Sequence, residues 1–304
     1  MTIELRNILK FLKKIKMKNK KILVTGGEGF IGYNLCKTLL KEGCIVTSLD
    51  VNLSGRKDRR TPGIEYIVGD TKDINLIFSK RIFDVIIHLG EYARLENSFE
   101  NIEMVVDSNI KGSIEVFEFW RKQKCKLIYA GSSTKFHKGL KCEDVSPYSY
   151  TKTLNSEMVK MYANWFGLDY AITYFYNVYG DKENDEGIFA SVIGIFARKI
   201  KQGDVLQVVL PGTQKRNFTH IDDIVCGILL VTKNGNGDNY GIGSEDLYSI
   251  NEVAKMFGGE IEYLPERRGN RESSELMSDK IVDLGWKSKK NLRDYIFNLN
   301  KNND

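Results

Sequence analysis

Histidine is nearly absent from this chain: His88, His137 and His220 are its three copies in 304 residues. No Cys/His cluster with metal-ligand spacing accompanies them, which excludes an ordinary zinc site. Cysteine is sparse too. Cys36, Cys44, Cys125, Cys142 and Cys226 are odd in number and scattered, so they form no disulfide framework and read as reduced thiols of a cytoplasmic protein. Long apolar runs are missing: none approaches the ~20 residues that span a membrane. There is no internal repeat. Low complexity is confined to the basic N-terminus and an Asn/Lys-rich tail at 299–304. Nor is there a strong charge excess. The net charge is +5, and the first 21 residues, with eight Lys/Arg against one Glu, more than account for it. Nothing in the remainder calls for a nucleic-acid partner.

Residues 1–19 read as a basic extension. Ile3, Leu5, Ile8, Leu9, Phe11, Leu12 and Ile15 recur at roughly helical spacing with lysines between them. Those lysines interrupt any apolar core, so this is no signal peptide. Met17 opens Met-Lys-Asn-Lys-Lys-Ile-Leu-Val-Thr-Gly-Gly, a natural domain start, and the preceding residues are assigned no essential role.

What is present begins at residues 25–32, Thr-Gly-Gly-Glu-Gly-Phe-Ile-Gly, directly after the apolar run Ile22-Leu23-Val24. Gly26, Gly29 and Gly32 stand three apart where a buried strand turns into a helix. The tight turn, the approach of backbone N–H groups to a diphosphate, and the packing of helix on strand each need a residue without Cβ. With Phe30 and Ile31 they open a helix whose N-terminus favours phosphate. A second apolar run, 45–49, ends in Asp50, about 20 residues on, where a carboxylate would hold ribose hydroxyls and repel a 2′-phosphate. The cofactor indicated is NAD. Arg56, Lys57, Arg59 and Arg60 follow as a charge run of the kind that usually forms a solvated loop.

Strand patterns at 21–25, 45–49, 64–68, 84–88, 126–131 and 170–174 alternate with helical patterns near 30–42, 73–80, 98–122 and 149–166. This implies a parallel sheet covered on both faces, with ligands beyond the carboxyl ends of its strands. Those ends carry Asp70, His88-Leu89-Gly90, Gly131-Ser132-Ser133-Thr134 and Asn177. After about residue 177 the pattern changes to a smaller α/β cap.

Tyr148 and Lys152 stand four apart at the start of a helical stretch, on one face. The ammonium, with a cationic nicotinamide, would move the phenol from ~10 toward the working pH, where it accepts a proton from a sugar hydroxyl. Ser132 would hydrogen-bond the same hydroxyl.

At this point the chain resembles the extended short-chain dehydrogenase/reductases of the sugar-nucleotide epimerase and dehydratase type, over roughly residues 20–295. The matching pieces are Thr25–Gly32, Asp50, Gly69-Asp70, His88-Leu89-Gly90, Asn109, Ser132-Ser133-Thr134, Ser146-Pro147-Tyr148 with Lys152, Asn177-Val178-Tyr179-Gly180, Arg216–Asp223, Arg267–Asn270 and Leu284-Gly285-Trp286. The resemblance implies a Rossmann-type doubly wound sheet over 20–177, with Tyr148 and Lys152 in it. Residues 178–304 would be mainly a sugar-nucleotide-binding region, some segments of which return to the sheet. It further implies NAD held by Gly26, Gly29, Phe30, Ile31, Gly32, Asp50, Asp70, Thr71, Leu89, Gly90, Asn109, Tyr148 and Lys152. Asn177, Arg216 and Arg267 would meet a nucleoside diphosphate sugar, since guanidinium suits phosphate oxygens. His220 reads as a structural hydrogen-bonder. The helices 98–122 and 149–166 resemble the pair that makes a homodimer.

The departures narrow the chemistry. Family 4,6-dehydratases usually carry Asp-Glu where this chain has Ser133 and Thr134, and decarboxylases a Glu at the second position. The Ser/Thr set resembles the 4-epimerases, in which the 4-keto sugar rotates before hydride returns. Glu91-Tyr92-Ala93-Arg94 replaces the small residues common there, which places Glu91 and Arg94 near the sugar with Ser133 and Thr134. Tyr174 stands where many relatives have Arg, and His137 and Cys142 lie in a short loop before Tyr148. A 4-dehydrogenase or reductase, a 4,6-dehydratase, a 3- or 5-epimerase and a non-catalytic NAD-binding protein are the alternatives. The last would be marked by loss of Tyr148 or Lys152, and both are kept.

Overall fold

The computed structural model describes residues 17–52, 57–136, 145–266 and 275–301. The basic extension 1–16, His137, Cys142, Arg56 and Arg267 lie outside the described residues.

Seven parallel strands form the central sheet: β1 (Lys21–Thr25), β2 (Ile45–Asp50), β3 (Glu65–Val68), β4 (Val85–His88), β5 (Lys126–Ser132), β6 (Tyr170–Phe175) and β7 (Gly237–Ile242). Their order is β7-β6-β5-β4-β1-β2-β3. The topology reverses between β1 and β4, where Thr25 pairs with His88 and Leu49. That switch point is where such sheets open a crevice for ligands. No helix among the described residues is long and apolar enough to cross a membrane.

The strands at the centre are apolar on both faces because both are covered. Val24, Ile87 and Ile128 pack under α1 (Phe30–Lys41) and α5 (Ile221–Asn234). Leu23, Ile86, Leu127 and Tyr129 pack under α2 (Ser113–Gln123) and α3 (Pro147–Phe166). A third core, built on Phe196, Leu206, Phe218 and Phe257, fills a cap that carries α4 (Val192–Gln202), α6 (Ile250–Phe257) and α7 (Leu292–Lys301).

Three elements differ from the sequence expectation. The stretch expected as one helix over 98–122 is Ile102–Val106, a wide π turn Asp107–Gly112, and then α2. The extra residue turns Asn109 inward, where its Oδ1 accepts from Tyr92 N at 2.7 Å and its Nδ2 donates to Tyr92 O at 3.2 Å. The helix α3 begins two residues earlier than expected, because Ser146 accepts from Ser149 N at 3.1 Å and Pro147 suits the first turn. The seventh strand lies in the region after residue 177, read in the sequence only as a smaller α/β cap, and carries Gly237 and Gly241. Gly241 is needed there: a Cβ would sit 1.9 Å from Met277 O.

The glycine turn is the tightest point. Gly26 has φ +72°, and a Cβ on Gly32 would lie 2.0 Å from Gly26 O. No side chain caps α1, so its first N–H groups face the crevice without a side-chain cap. Gly32→Ala is expected to cost ~1–3 kcal/mol of stability and to weaken NAD binding at least about tenfold, because the helix must withdraw from the turn. Urea unfolding and NAD titration calorimetry measure the two effects.

Candidate active site

The carboxyl end of β2 carries Asp50. Its Oδ2 accepts from Glu28 N at 2.9 Å and its Oδ1 from Asn52 N at 2.8 Å. Burial raises its pKa, with the backbone N–H groups opposing and the Glu28 charge adding to the rise. Each oxygen keeps a lone pair for a ribose hydroxyl. Of the run expected to be solvated, Arg60 is exposed but Arg59 is buried, which corrects the sequence reading at that position. Arg60 forks onto Glu28 with two 3.0 Å bonds. Arg59, 1% exposed, donates to Glu28 O at 3.3 Å, to Lys182 O at 2.6 Å and to Asn184 Oδ1 at 2.7 Å. Both guanidinium groups are engaged within the protein, while two carboxylates stand beside the ribose position. That arrangement fits NAD and disfavours a 2′-phosphate. Asp70 accepts from Lys72 N at 2.9 Å and caps the short turn holding buried Thr71.

Under the crevice, a hydrogen-bond chain runs between the elements. Gly90 N donates to Thr25 Oγ1 at 3.1 Å, and Thr25 Oγ1 is 2.6 Å from His88 Nδ1. His88 Nε2 is 3.1 Å from Ser113 Oγ, which donates to Glu91 Oε1 at 2.8 Å. Since Ser113 gives its proton to Glu91, it accepts from Nε2–H, and Nδ1 accepts from Thr25. His88 is thus neutral. Burial, with Lys152 pushing the same way and Glu91 against, lowers its pKa to about 4.

Glu91 was expected beside the sugar. The structure corrects this: its carboxylate is buried beneath the site, paired with Lys152 Nζ. It also accepts from Tyr129 OH at 3.1 Å and Asn155 Nδ2 at 2.7 Å. Burial opposes its charge, but the Lys152 attraction and the hydrogen bonds prevail and hold its pKa below the usual range. Lys152 donates as well to Ala130 O at 2.6 Å, and its ammonium lies 5.0 Å from the Tyr129 ring centroid. Two of its three N–H groups are therefore fixed. Asn109, expected against the cofactor, has its amide fully engaged by Tyr92 and by Thr151 Oγ1 at 3.1 Å. It orders the loop after β4 instead.

Tyr148 lies half-buried in the first turn of α3, one turn before Lys152. It is within electrostatic reach of Arg94 and Tyr129. Ser132, at the end of β5, accepts from Thr134 N at 3.3 Å and Thr134 Oγ1 at 3.0 Å. Its own proton is left to donate to a ligand oxygen. Ser133 and Thr134 are buried beside it. Arg94 donates to Ala93 O at 3.4 Å and to Phe189 O, tying the loop after β4 to the cap. Asn177, with φ +29°, donates to Asn217 O at 3.0 Å and so anchors the strand that carries half-buried Arg216. His220 caps α5, its Nδ1 accepting from Asp222 N at 3.1 Å.

Sequence reasoning missed Ser113, Tyr129, Asn155, Arg59 and Glu183. Burial raises the pKa of Glu183 to about 7 against a 2.5 Å bond from Ser191. Its only signal was a carboxylate three residues after the Asn-Val-Tyr-Gly motif.

The His88 chain has a pH consequence. The unfolded histidine takes a proton below about 6.5, while the folded one resists to about 4. Stability is therefore lost as pH falls through that window, by on the order of 3 kcal/mol. Urea midpoints of wild type and His88→Gln, measured from pH 7 to 4, are expected to show the variant's slope flattened by about that amount.

The family model for the NAD dependent epimerase/dehydratase family matches residues 22–243. A putative UDP-glucose 4-epimerase of Methanocaldococcus jannaschii is 30% identical, covering 93% of this chain and 99% of the relative. A UDP-N-acetyl-alpha-D-glucosaminuronate decarboxylase of Bacillus cytotoxicus is 32% identical over 78% of each chain. Among solved structures, the UDP-glucose 4-epimerase of Thermotoga maritima with UDP-glucose superposes with a TM-score of 0.85 at 26% identity, covering 91% of this chain and 96% of the other.

Proposed function

Because the chain belongs to the NAD-dependent epimerase/dehydratase family, with NAD its cofactor, we propose that it is a sugar-nucleotide 4-epimerase acting through a transient 4-keto intermediate. The observation that carries this reading is the hydroxyl set Ser132-Ser133-Thr134 at the end of β5, ahead of Tyr148 and Lys152 on α3. Loss of water across C5–C6 needs an acid for the leaving hydroxyl and a base for the C5 proton. Ser133 and Thr134 supply neither at neutral pH. Oxidation and return at C4 need less: one proton acceptor, one hydroxyl donor and a fixed cation.

NAD supplies the two-electron acceptor and donor at the sugar carbon. Tyr148 takes the proton of the C4 hydroxyl and gives it back when the keto group is reduced from the other face. Ser132 donates to the same oxygen, stabilising the charge that develops on it. Lys152, held by Glu91 and Ala130, favours the tyrosinate. Arg216 would meet the diphosphate, joined by Arg267, which lies outside the described residues. Tyr148→Phe is expected to fold normally and to lower kcat by ~10²–10⁴. Retained turnover would remove Tyr148 from the mechanism.

The reaction class is tested with UDP-, GDP-, CDP- and dTDP-sugars in D2O, followed by proton NMR and NADH absorbance. Interconversion of C4 epimers without deuterium at C4 and without net NADH is the expected result. Accumulating NADH or a stable keto-sugar would overturn it in favour of a dehydrogenase or dehydratase.

The functional unit proposed is a homodimer. Tyr150, Leu154, Met161 and Trp165 recur along one exposed face of α3, beside exposed Ile102, Met104 and Val106. A contiguous apolar face of this kind marks an association surface. Sedimentation velocity is expected to give a dimer for wild type and a monomer for Met161→Glu/Trp165→Glu.

A further inference from the structure

Directly after His88-Leu89-Gly90 the chain places a carboxylate, Glu91. An ionised carboxylate placed there without partners would be strongly destabilising. The structure instead surrounds it with donors from three separate elements: Ser113 of α2, Tyr129 of β5, and Lys152 and Asn155 of α3. Asn155 is itself fixed by a 2.5 Å bond to Asn109 O.

The cage has an electrostatic effect. A bare Lys152 ammonium would act on Tyr148 with a full unit charge. Paired with Glu91, it acts as a dipole whose field falls off faster. The other titratable groups within reach are few among the described residues. His88 on β4 is neutral, Tyr129 on β5 is uncharged because burial raises its pKa well above the ordinary range, and Arg94 faces Tyr148 from the loop after β4. Glu183 faces Arg94 from the cap side.

We propose that Glu91 is a positioning residue that fixes the Lys152 ammonium and offsets its charge, and thereby sets the pH range over which Tyr148 exchanges its proton. The inference rests on the reading of Tyr148 as the base. An epimerase needs such an offset because its base must both take the proton and return it. A phenol made too acidic by an unopposed ammonium gives the proton back readily but takes it less readily, which slows the oxidation of the C4 hydroxyl.

The test uses NAD-loaded enzyme and needs no substrate. Tyrosinate absorbance is titrated for each variant with and without Tyr148→Phe, so that the difference reports Tyr148 alone. Glu91→Gln is expected to move this ionisation about one pH unit lower, a tenfold change in the equilibrium. Lys152→Met is expected to move it higher. The double variant, with both charges gone, is expected to return close to wild type; it also decides the matter if Glu91→Gln alone does not fold, since replacing both members of a buried pair is far milder than stranding one. No shift, or an upward shift, in Glu91→Gln would overturn the proposal, as would a double variant that coincides with Lys152→Met. A wild-type enzyme with no Tyr148-dependent step below the range of free tyrosine would instead remove the base reading itself, and the proposal with it.

Discussion

A buried carboxylate facing a buried ammonium is the constraint around which this site is arranged. Glu91 and Lys152 come from segments 61 residues apart, on the loop after β4 and on α3. Bringing both out of water is unfavourable unless each finds further partners. Those partners dictate much of what surrounds them: Ser113 at the head of α2, Asn155 one turn after Lys152, the Tyr129 hydroxyl, and the carbonyl of Ala130. Through Ser113 the same network reaches His88 and then Thr25, whose hydroxyl holds Gly90 against the glycine turn. The floor of the crevice is thus one connected polar structure under three strands and two helices.

The cofactor side is governed by close approach instead. Gly26 and Gly32 let a helix start almost on top of a strand end, and Asp50 closes the next strand beside it. Arg59 and Arg60 bind this turn to the segment after β6 through Glu28, Lys182 and Asn184. Cofactor pocket and cap are therefore linked by a buried guanidinium rather than by apolar packing alone.

What the sequence showed and what it hid follow from range. The positions of Thr25–Gly32, Asp50, Ser132–Thr134 and Tyr148 with Lys152 in the fold were legible because each is set by local geometry: a turn, a strand end, one helical turn. Six of the seven sheet strands were legible from their apolar runs. Glu91 was placed in the right neighbourhood but given the wrong company, because its partners are decided by which strands lie side by side. Arg59 looked like one of four exposed cations, and only folding shows that it is 1% exposed. The strand Gly237–Ile242 was hidden by its glycines, whose purpose is visible only once Met277 lies across Gly241.

The wide turn at Asp107–Gly112 sets the phase of everything after it. Each residue of an α-helix advances about 100° around the axis. The one extra residue therefore re-aims the chain between Val106, which faces outward, and Val116, Phe117 and Trp120, which face the sheet. The segment is thus constrained in its length as well as at Asn109, whose amide is engaged by Tyr92 and Thr151. Deleting a single codon there would swing α2's buried aromatics toward solvent and withdraw Ser113 from Glu91, so that a lesion in a distal helix would read out as a lost active site.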